Sequence, residues 1–203
     1  MIIPWVRINW IDDFIGYGLF ADRFIPKGTI TFVQDGLDIV LSGDELHSLA
    51  PNLQEHVEKY SYEDYLGNRI ISWDMGKYMN HNDEANTLTT GYGFEIAIRD
   101  IHPGEEITDD YRIFSTHHDT SFSPKKIDMD HLDEVRIWPQ SLLDYWNQEV
   151  KKALVETMNV KQPLKEFLDG QLWTEITDKQ FLTNYRGVEL SLPLRYQSQL
   201  HHV

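Results

Sequence analysis

The chain has 203 residues, and its 18 Lys and Arg against 33 Asp and Glu give a formal net charge of −15. This balance argues against general nucleic-acid binding and suits either a cationic partner or simple solubility. The chain contains no cysteine, which excludes disulfides, thiolate zinc sites and cysteine nucleophiles.

The first third of the chain has the pattern of strands and turns. Its start, "MIIPWVRINWIDDF", lacks a basic segment followed by an apolar core, and no apolar run in the chain approaches the ~20 residues of a membrane span. "YGLFADRFI" predicts a strand, Pro26 to Gly28 a turn, and "TITFVQDG" a second strand that ends at Asp35-Gly36. We therefore expect an intracellular protein with no membrane contact.

A helical period follows at about residues 42–62. Ser42 and Glu45 have the spacing of a capping box. The apolar residues after them recur at intervals of three and four and predict one helix face: Leu46, Leu49, Leu53, Val57 and Tyr60. Strand character resumes at about Arg69 and continues to Tyr111, so a single helix is expected to interrupt a sheet-rich region.

Between two predicted strands lies the polar stretch "YMNHNDEANT", Tyr78 to Thr87. Asn, Asp and Thr favour turns because their side chains compete for backbone groups. A simple surface loop does not require Asn80, His81 and Asn86 so close together. If these side chains are buried, each of them needs a hydrogen-bond partner.

After Phe114 the composition changes. A stretch without apolar periodicity predicts a loop; its His117, His118 and His131 suggest a metal site, but their spacing is poor and a solvated loop without metal is expected. A helix is predicted from Pro139, and two short helices follow, one from Pro163 to a stop at Gly170 and another capped by Thr177. The predicted helix face from Pro139 comprises Leu142, Leu143, Trp146, Val150, Ala153, Leu154 and Met158.

Three segments together resemble the SET domain, the fold of most protein lysine methyltransferases. They are "GYGLFA" from Gly16, "NHNDEAN" from Asn80, and "AIRDIHPGEEITDDY" from Ala97 to Tyr111. The resemblance implies an α+β, β-rich SET fold with a knot-like crossing and an inserted helix, followed by a helical C-terminal region. It covers about residues 1–114; residues 115–203 are expected to form a loop and a helical region that packs on the SET core.

The resemblance implies one cofactor, S-adenosylmethionine (SAM), and one activity, methyl transfer to the side-chain amine of lysine. In this family Asn80 and the backbone of His81 would hold SAM, while Gly18 would let the backbone approach it closely. Tyr17, Phe20 and Tyr111 complete the expected cofactor site, although Phe20 is equally suited to plain core packing. Asn86 is expected to fasten the loop from inside rather than to touch the ligand.

Tyr111 is the catalytic residue that the resemblance implies. Its hydroxyl would lie where the methyl group and the amine meet; the alternative is a tyrosine that merely ends a strand. Asp109 stands where many members carry Phe or Tyr, so its carboxylate either binds the lysine ammonium or points away. Phe114 is expected with it in the substrate channel.

The chain also departs from the family pattern. The loop of the Asn-His segment lacks the usual Cys and Pro, and the cysteine-rich zinc module that often closes the lysine channel cannot be present. The helical segment after Pro139 is the expected substitute, with Trp146 and Trp173 available, although both also suit core packing. The methylation state and the oligomeric state are left open.

The expected partner is a basic protein or peptide, a histone tail included, and no nucleic acid is expected to bind directly. Such a protein would act in the cytoplasm, or in the nucleus if histones are its substrates. The alternative function is a non-catalytic SET-like module that binds a basic peptide or a partner protein, because a fold does not fix an activity.

Overall fold

The computed structural model describes residues 1–114, 138–178 and 180–193. Most of the strands there are only three to six residues long. The strands are β1 (Val6–Asp12), β2 (Gly16–Ala21), β3 (Ile30–Val33), β4 (Ile39–Leu41), β5 (Ser61–Glu63), β6 (Arg69–Ile71), β7 (Asn80–His81), β8 (Thr87–Thr89), β9 (Phe94–Ala97) and β10 (Glu106–Asp109). The α-helices are α1 (Gly43–Ser48), α2 (Pro51–Tyr60), α3 (Gln140–Glu156) and α4 (Gly170–Thr177).

The strands form three small sheets with the orders β1-β2-β10-β7, β3-β9-β8 and β4-β6-β5. Strand β7 runs parallel to β10, whereas the other pairs are antiparallel. Strand β9 is central in its sheet, and all four of its residues are buried. The expectation of a sheet-rich first part followed by a helical region is confirmed.

The single helix expected at residues 42–62 is wrong, because the segment forms two helices. The capping box is present, with Ser42 and Glu45 bonding each other's backbone. Pro51 has no N–H to continue the first helix and favours an extended residue before it, and Ala50 has φ −62° and ψ 146°. Val57 is the one buried residue of α1 and α2, so most of the predicted stripe stays outside the core.

The helix expected after Pro139 is confirmed as α3. Its core side is formed by Leu143, Trp146, Val150, Ala153 and Leu154. Met158, which we placed on the same face, is 62% exposed. The α-helix ends at Glu156 and a 3-10 turn follows, so the 3.6-residue period no longer applies at Met158.

The two short helices predicted next have wrong boundaries. The segment after Pro163 forms only a 3-10 turn, Lys165–Phe167. Gly170 begins α4 rather than ending a helix, because Asp169 caps it by accepting hydrogen bonds from the backbone of the first turn. Thr177 is the last residue of α4, and its hydroxyl donates to the Trp173 carbonyl at 2.7 Å.

The helical C-terminal region shares one hydrophobic core with the sheets. Buried residues from both parts of the chain belong to this core, including Ile25, Ile30, Phe94, Ile96, Trp146, Val150, Leu164, Ile176 and Leu192. Gln162 adds a polar connection: its amide donates to the Gly28 carbonyl at 2.7 Å, and its oxygen accepts from the Ile30 N–H at 2.9 Å. The C-terminal region thus covers one side of the sheet β3-β9-β8.

Two expectations concern other parts of the chain. His117, His118 and His131 lie outside the described residues. No helix among the described residues is long and apolar enough to cross a membrane.

Candidate functional site

The segment from Asn80 to Asn86 lies directly against β10. Asn80 pairs with Thr108 and His81 with Asp109 in parallel register, and the Asn82 N–H continues the ladder by donating to the Asp109 carbonyl at 3.1 Å. Strand β10 is thereby held between β2 on one side and β7 on the other. The polar run is therefore part of a sheet.

Asn86 is a clamp on β10, as expected. Its side chain is buried, its amide donates to the Glu106 carbonyl at 2.7 Å, and its oxygen accepts from the Thr108 N–H at 3.0 Å. The Thr87 hydroxyl adds a bond to the Thr108 carbonyl at 2.9 Å. These contacts satisfy backbone groups that β7 does not reach, which explains the need for an amide at this position.

Asn80 joins β2 to β10 beyond the end of their pairing. The two strands are paired only at Leu19 and Phe20. Past that point the Asn80 amide donates to the Tyr17 carbonyl at 3.1 Å and to the Glu106 carboxylate at 2.8 Å. The result is a cluster of polar groups beside β2 and β7, called here the notch, in which a backbone edge, an amide and a carboxylate meet.

Gly18 lies in this notch, and its lack of a side chain has a local cause. A Cβ there would approach Glu106 Oε1 and Ile11 Cδ1 to 2.6 Å and Asn80 Nδ2 to 2.9 Å. The protein's own side chains therefore occupy the space that glycine leaves. Tyr17 next to it is 49% exposed and packs edge-on against Trp10, with ring centroids 5.2 Å apart.

His81 connects the notch to Tyr111. Its Nδ1 accepts a hydrogen bond from the Tyr111 N–H at 3.1 Å, and the two ring centroids are 5.6 Å apart. Nδ1 therefore carries no proton, and Nε2 lies 3.4 Å from an oxygen of Asp83. The imidazole has a structural task here, since it fixes the start of the turn that contains Tyr111.

Tyr111 follows β10 at the start of a 3-10 turn, Tyr111–Ile113. Its hydroxyl donates to the Met79 carbonyl. Burial raises the pKa of this phenol, and the negative charges of Asp109, Glu95 and Glu106 raise it further. The hydroxyl thus stays protonated and remains a hydrogen-bond donor, although the residue as a whole is 37% exposed.

Hydrogen bonds attach helix α3 and the residues just before it to the turn that carries Tyr111. The buried carboxylate of Asp110 binds the Arg112 guanidinium, with Oδ2 2.6 Å from Nη2, and accepts from the Trp146 indole N–H at 2.9 Å. The Trp138 indole donates to the Arg112 carbonyl at 2.7 Å. The residues around Tyr111 therefore depend on α3 and on Trp138, two residues before that helix, for two of their polar contacts.

A cavity of about 380 Å³ lies beside this turn. Its wall combines aromatic rings and acids with residues of the C-terminal region. The lining residues include Phe32, Tyr62, Glu63, Tyr65, Thr89, Tyr92, Phe94, Glu95, Phe114, Arg186 and Leu190. Phe114 connects it to the notch, because its ring centroid lies 6.4 Å from that of Tyr111 and 5.2 Å from that of Tyr62.

Two buried carboxylates lie on this side of the protein: Glu95 lines the cavity, and Asp109 lies behind the lining residue Thr89. Thr89 and Glu95 are direct cross-strand partners, and the Thr89 hydroxyl contacts Asp109 Oδ2 at 3.3 Å. Burial raises the pKa of Asp109 to about 7, and burial together with the charge of Asp109 raises the pKa of Glu95 well above its usual range. Glu95 and Asp109, called here the acid pair, are thus difficult to ionise together.

The acid pair makes the stability of the protein depend on pH. Because the pKa of Asp109 is about 7 in the folded state against 3.8 normally, the folded protein holds a proton between pH 4 and 7 that the unfolded chain has released. The contribution of Asp109 to the free energy of unfolding should therefore fall as the pH rises through this interval, by roughly 1.4 kcal/mol for each pH step of one. Urea unfolding of Asp109→Asn should show a clearly flatter pH dependence than the wild type; an identical dependence would contradict this assignment.

The structure brings some predicted site residues together and separates others. Gly18, Asn80, His81 and Tyr111 adjoin at the notch, with half-buried Phe20 further along β2. Asp109 and Phe114 lie toward the cavity instead.

The sequence did not predict Glu106, Thr89 or Glu95 as site residues. Strand alternation along "FEIAIRDI" puts Glu95 on the face opposite Phe94, which is the solvent side of an ordinary amphipathic strand. The signal that the sequence offered for Glu95 was its position as the one acidic residue in the otherwise apolar strand "FEIA".

Comparison with known proteins bears on the same segments. A model of the SET domain family matches residues 16–112. Curated proteins give no match. One matching crystal structure is that of a candidate histone methyltransferase from Plasmodium falciparum, with 21% identity over 54% of this chain and 95% of that one and a TM-score of 0.39. The family match begins at Gly16 in β2 and ends just after Tyr111, so it includes all three motif segments, and residues 16–112 of this chain are similar to the SET domain.

Proposed function

We propose that this protein is a SAM-dependent protein-lysine N-methyltransferase. The observation that carries the proposal is the position of Tyr111 between two differently built sites. On one side lies the polar notch with Asn80 and Gly18, and on the other an aromatic and acidic cavity. Methyl transfer needs the methyl group and the accepting amine to be held close together and in line, and two sites that approach each other at Tyr111 suit this requirement.

The notch fits SAM by its chemistry. The exposed ring of Tyr17 offers an apolar surface, the strand edge and Asn80 offer backbone and amide groups, and Glu106 offers a negative charge to a cationic ligand. SAM would be held by Tyr17, Gly18, Asn80 and the backbone of His81, with Phe20 behind them. When bound, SAM supplies an activated methyl group on a positively charged sulfur.

The residues of the chain would then position and desolvate the amine. Tyr111 keeps its proton and donates it to the Met79 carbonyl, so its oxygen lone pairs would be left to accept a hydrogen bond from the substrate amine where the two sites approach each other. Phe114 would flank the lysine side chain, and the carboxylate of Asp109 would lie behind Thr89 at the end of the channel. Burial of the substrate amine favours its neutral, nucleophilic form.

The substrate is expected to be a basic segment of a protein. The net charge of −15 favours association with cationic chains, and the cavity wall contains several acids beside its aromatic rings. Arg186, Leu190 and Ser191 close one side of the cavity, which is a task that a zinc module performs in many family members. A histone tail fits this chemistry and would place the protein in the nucleus; other exposed basic segments fit equally well.

One observation favours a second candidate, a non-catalytic module that binds a basic peptide. Both hydrogens of the Asn80 amide are already directed at protein acceptors, Tyr17 and Glu106. A notch whose polar groups satisfy one another does not require a ligand. The two candidates differ in SAM binding, which only the enzyme needs.

The proposal is tested by calorimetric titration with SAM. The wild type should bind it, and Asn80→Ala should weaken the affinity by at least about tenfold, because one amide that joins the two sides of the notch is lost. Asn52→Ala, at an exposed position of α2, is the matched control and should bind as the wild type does. Methylation of an array of lysine peptides would then identify the substrate. A folded wild type without detectable binding at millimolar SAM favours the peptide-binding module.

A further inference from the structure

Glu95 has no structural explanation in the packing around it. It is only 7% exposed and lies in the wall of the cavity, and among the described residues its Oε2 has no hydrogen-bond partner. A buried carboxylate oxygen without a partner costs free energy, so such groups usually face a ligand or remain protonated. The strand register puts Glu95 on the same side as Phe32 and Thr89, which also line the cavity.

The charged groups around Glu95 come from several elements. Asp109 of β10 raises its pKa, and the amino group of Met1 lowers it. Glu95 in turn raises the pKa of Tyr62 on β5 and of Tyr111 after β10, so both phenols lie within its electrostatic reach. Glu63 and Asp64 add negative charge to the wall from the region of β5.

Arg186 is the cation that the described residues bring to this cavity wall. Its guanidinium is engaged elsewhere, since Nε donates to Glu175 at 2.8 Å and the group lies 5.4 Å from the centre of the Tyr92 ring. It therefore does not neutralise the acid pair. An acidic site walled by Tyr62, Phe94 and Phe114 has the composition of a receptor for an organic cation.

We propose that Glu95, supported by Asp109, binds the ammonium group of the substrate side chain and accepts the proton that this group must lose. This inference rests on the proposed function. An N–H bond of the ammonium breaks, its electron pair stays on nitrogen as the lone pair of the neutral amine, and the proton forms an O–H bond on Glu95 before it passes to solvent. The neutral amine is the nucleophile that methyl transfer needs.

The environment of Glu95 suits this task. A carboxylate of ordinary acidity is a weak base for an ammonium group, whereas one whose proton affinity is raised by burial and by a neighbouring acid is better matched. The Thr89 hydroxyl, which contacts Asp109, keeps the second acid in place behind the first. Glu95 on β9 thus acts on the substrate amine from the cavity, whereas the notch lies on the opposite side of that amine.

The test compares Glu95→Gln with the wild type in single-turnover methylation of the best peptide from pH 6.5 to 9.5. The amide keeps the size of the side chain and removes its basicity. At pH 7 the rate should fall about 100-fold or more, the usual contribution of a general base. The deficit should shrink toward pH 9.5, because more of the substrate amine, with a free pKa of ~10.4, is then neutral without help. Glu166→Gln, at an exposed position, is the matched control.

A second readout does not depend on turnover. The probe n-butylammonium imitates the end of a lysine side chain, and n-pentanol is its neutral counterpart. By NMR titration the wild type should prefer the ammonium at least about tenfold, and both Glu95→Gln and Asp109→Asn should lose this preference. Melting curves establish whether the two variants are folded. If Glu95→Gln does not fold, Asp109→Asn alone provides the comparison with the wild type.

The outcomes are distinct. Equal rates and equal pH profiles for Glu95→Gln and the wild type overturn the proton transfer. A rate deficit that stays constant with pH overturns it as well, since it would indicate a structural defect. A wild type that neither binds SAM nor methylates any peptide overturns the proposed function and the proton transfer with it; the butylammonium titration then decides whether the cavity is a cation site.

Discussion

Tyr111→Phe is expected to lower the rate of methyl transfer by about 10- to 1000-fold, the cost of deleting one preorganised polar group. The substitution removes the hydroxyl that donates to the Met79 carbonyl and keeps the ring beside His81 and Phe114. The backbone N–H that binds His81 Nδ1 is untouched, so the turn after β10 should keep its form.

The affinity for SAM should change little in this variant, because the notch is built from Gly18, Asn80 and Glu106 rather than from the Tyr111 hydroxyl. The loss should therefore appear in kcat, with the Kd of SAM nearly constant. Single-turnover methylation measures the first quantity and calorimetry the second. Tyr145→Phe, at an exposed tyrosine of α3, is the matched control. A variant that turns over like the wild type would make Tyr111 a strand-end residue of structural importance only.

Gly91→Ala should destabilise the protein by about 3 kcal/mol, near the upper end of the usual cost of overpacking. Gly91 lies in the turn between β8 and β9, where the C-terminal segment crosses. A Cβ there would approach the Gly187 carbonyl oxygen to 2.1 Å and that of Arg186 to 2.7 Å. Both obstacles are backbone atoms, which cannot rotate away as a flexible side chain could.

Relief of this clash would displace the segment that closes the cavity. The Arg186 N–H donates to the Tyr92 hydroxyl at 3.1 Å, and the Ser191 hydroxyl donates to the Thr90 carbonyl, so both contacts would loosen. The melting temperature should fall by roughly 6–12 °C, and turnover should fall more than SAM affinity does, because the cavity lies away from the notch. Gly36→Ala, where a Cβ meets nothing within 4 Å, should leave both properties unchanged. An unaltered melting temperature for Gly91→Ala would show that the C-terminal segment is not seated on this turn.

The resemblance to the SET domain and the broad order of strands and helices follow from the amino-acid sequence alone. Three motif segments around Gly18, Asn80 and Tyr111 appear in one order, and residues 16–112, which contain all three, match the SET domain model. The helix signals are local: a capping box at Ser42 or an amphipathic period in α3 depends on neighbours within one or two turns, so it can be read from the chain directly.

The roles of the acids, by contrast, depend on contacts between distant parts of the chain. The alternation of β9 suggests that Glu95 faces water, but β9 is the central strand of a sheet buried on both faces, and its register with Thr89 brings Glu95 to the acid pair. Asp110 likewise acquires its role from Trp146, 36 positions away. Burial and charge coupling depend on which strands become neighbours, and that is set by long-range packing, whereas the propensity of a segment reflects only its own residues.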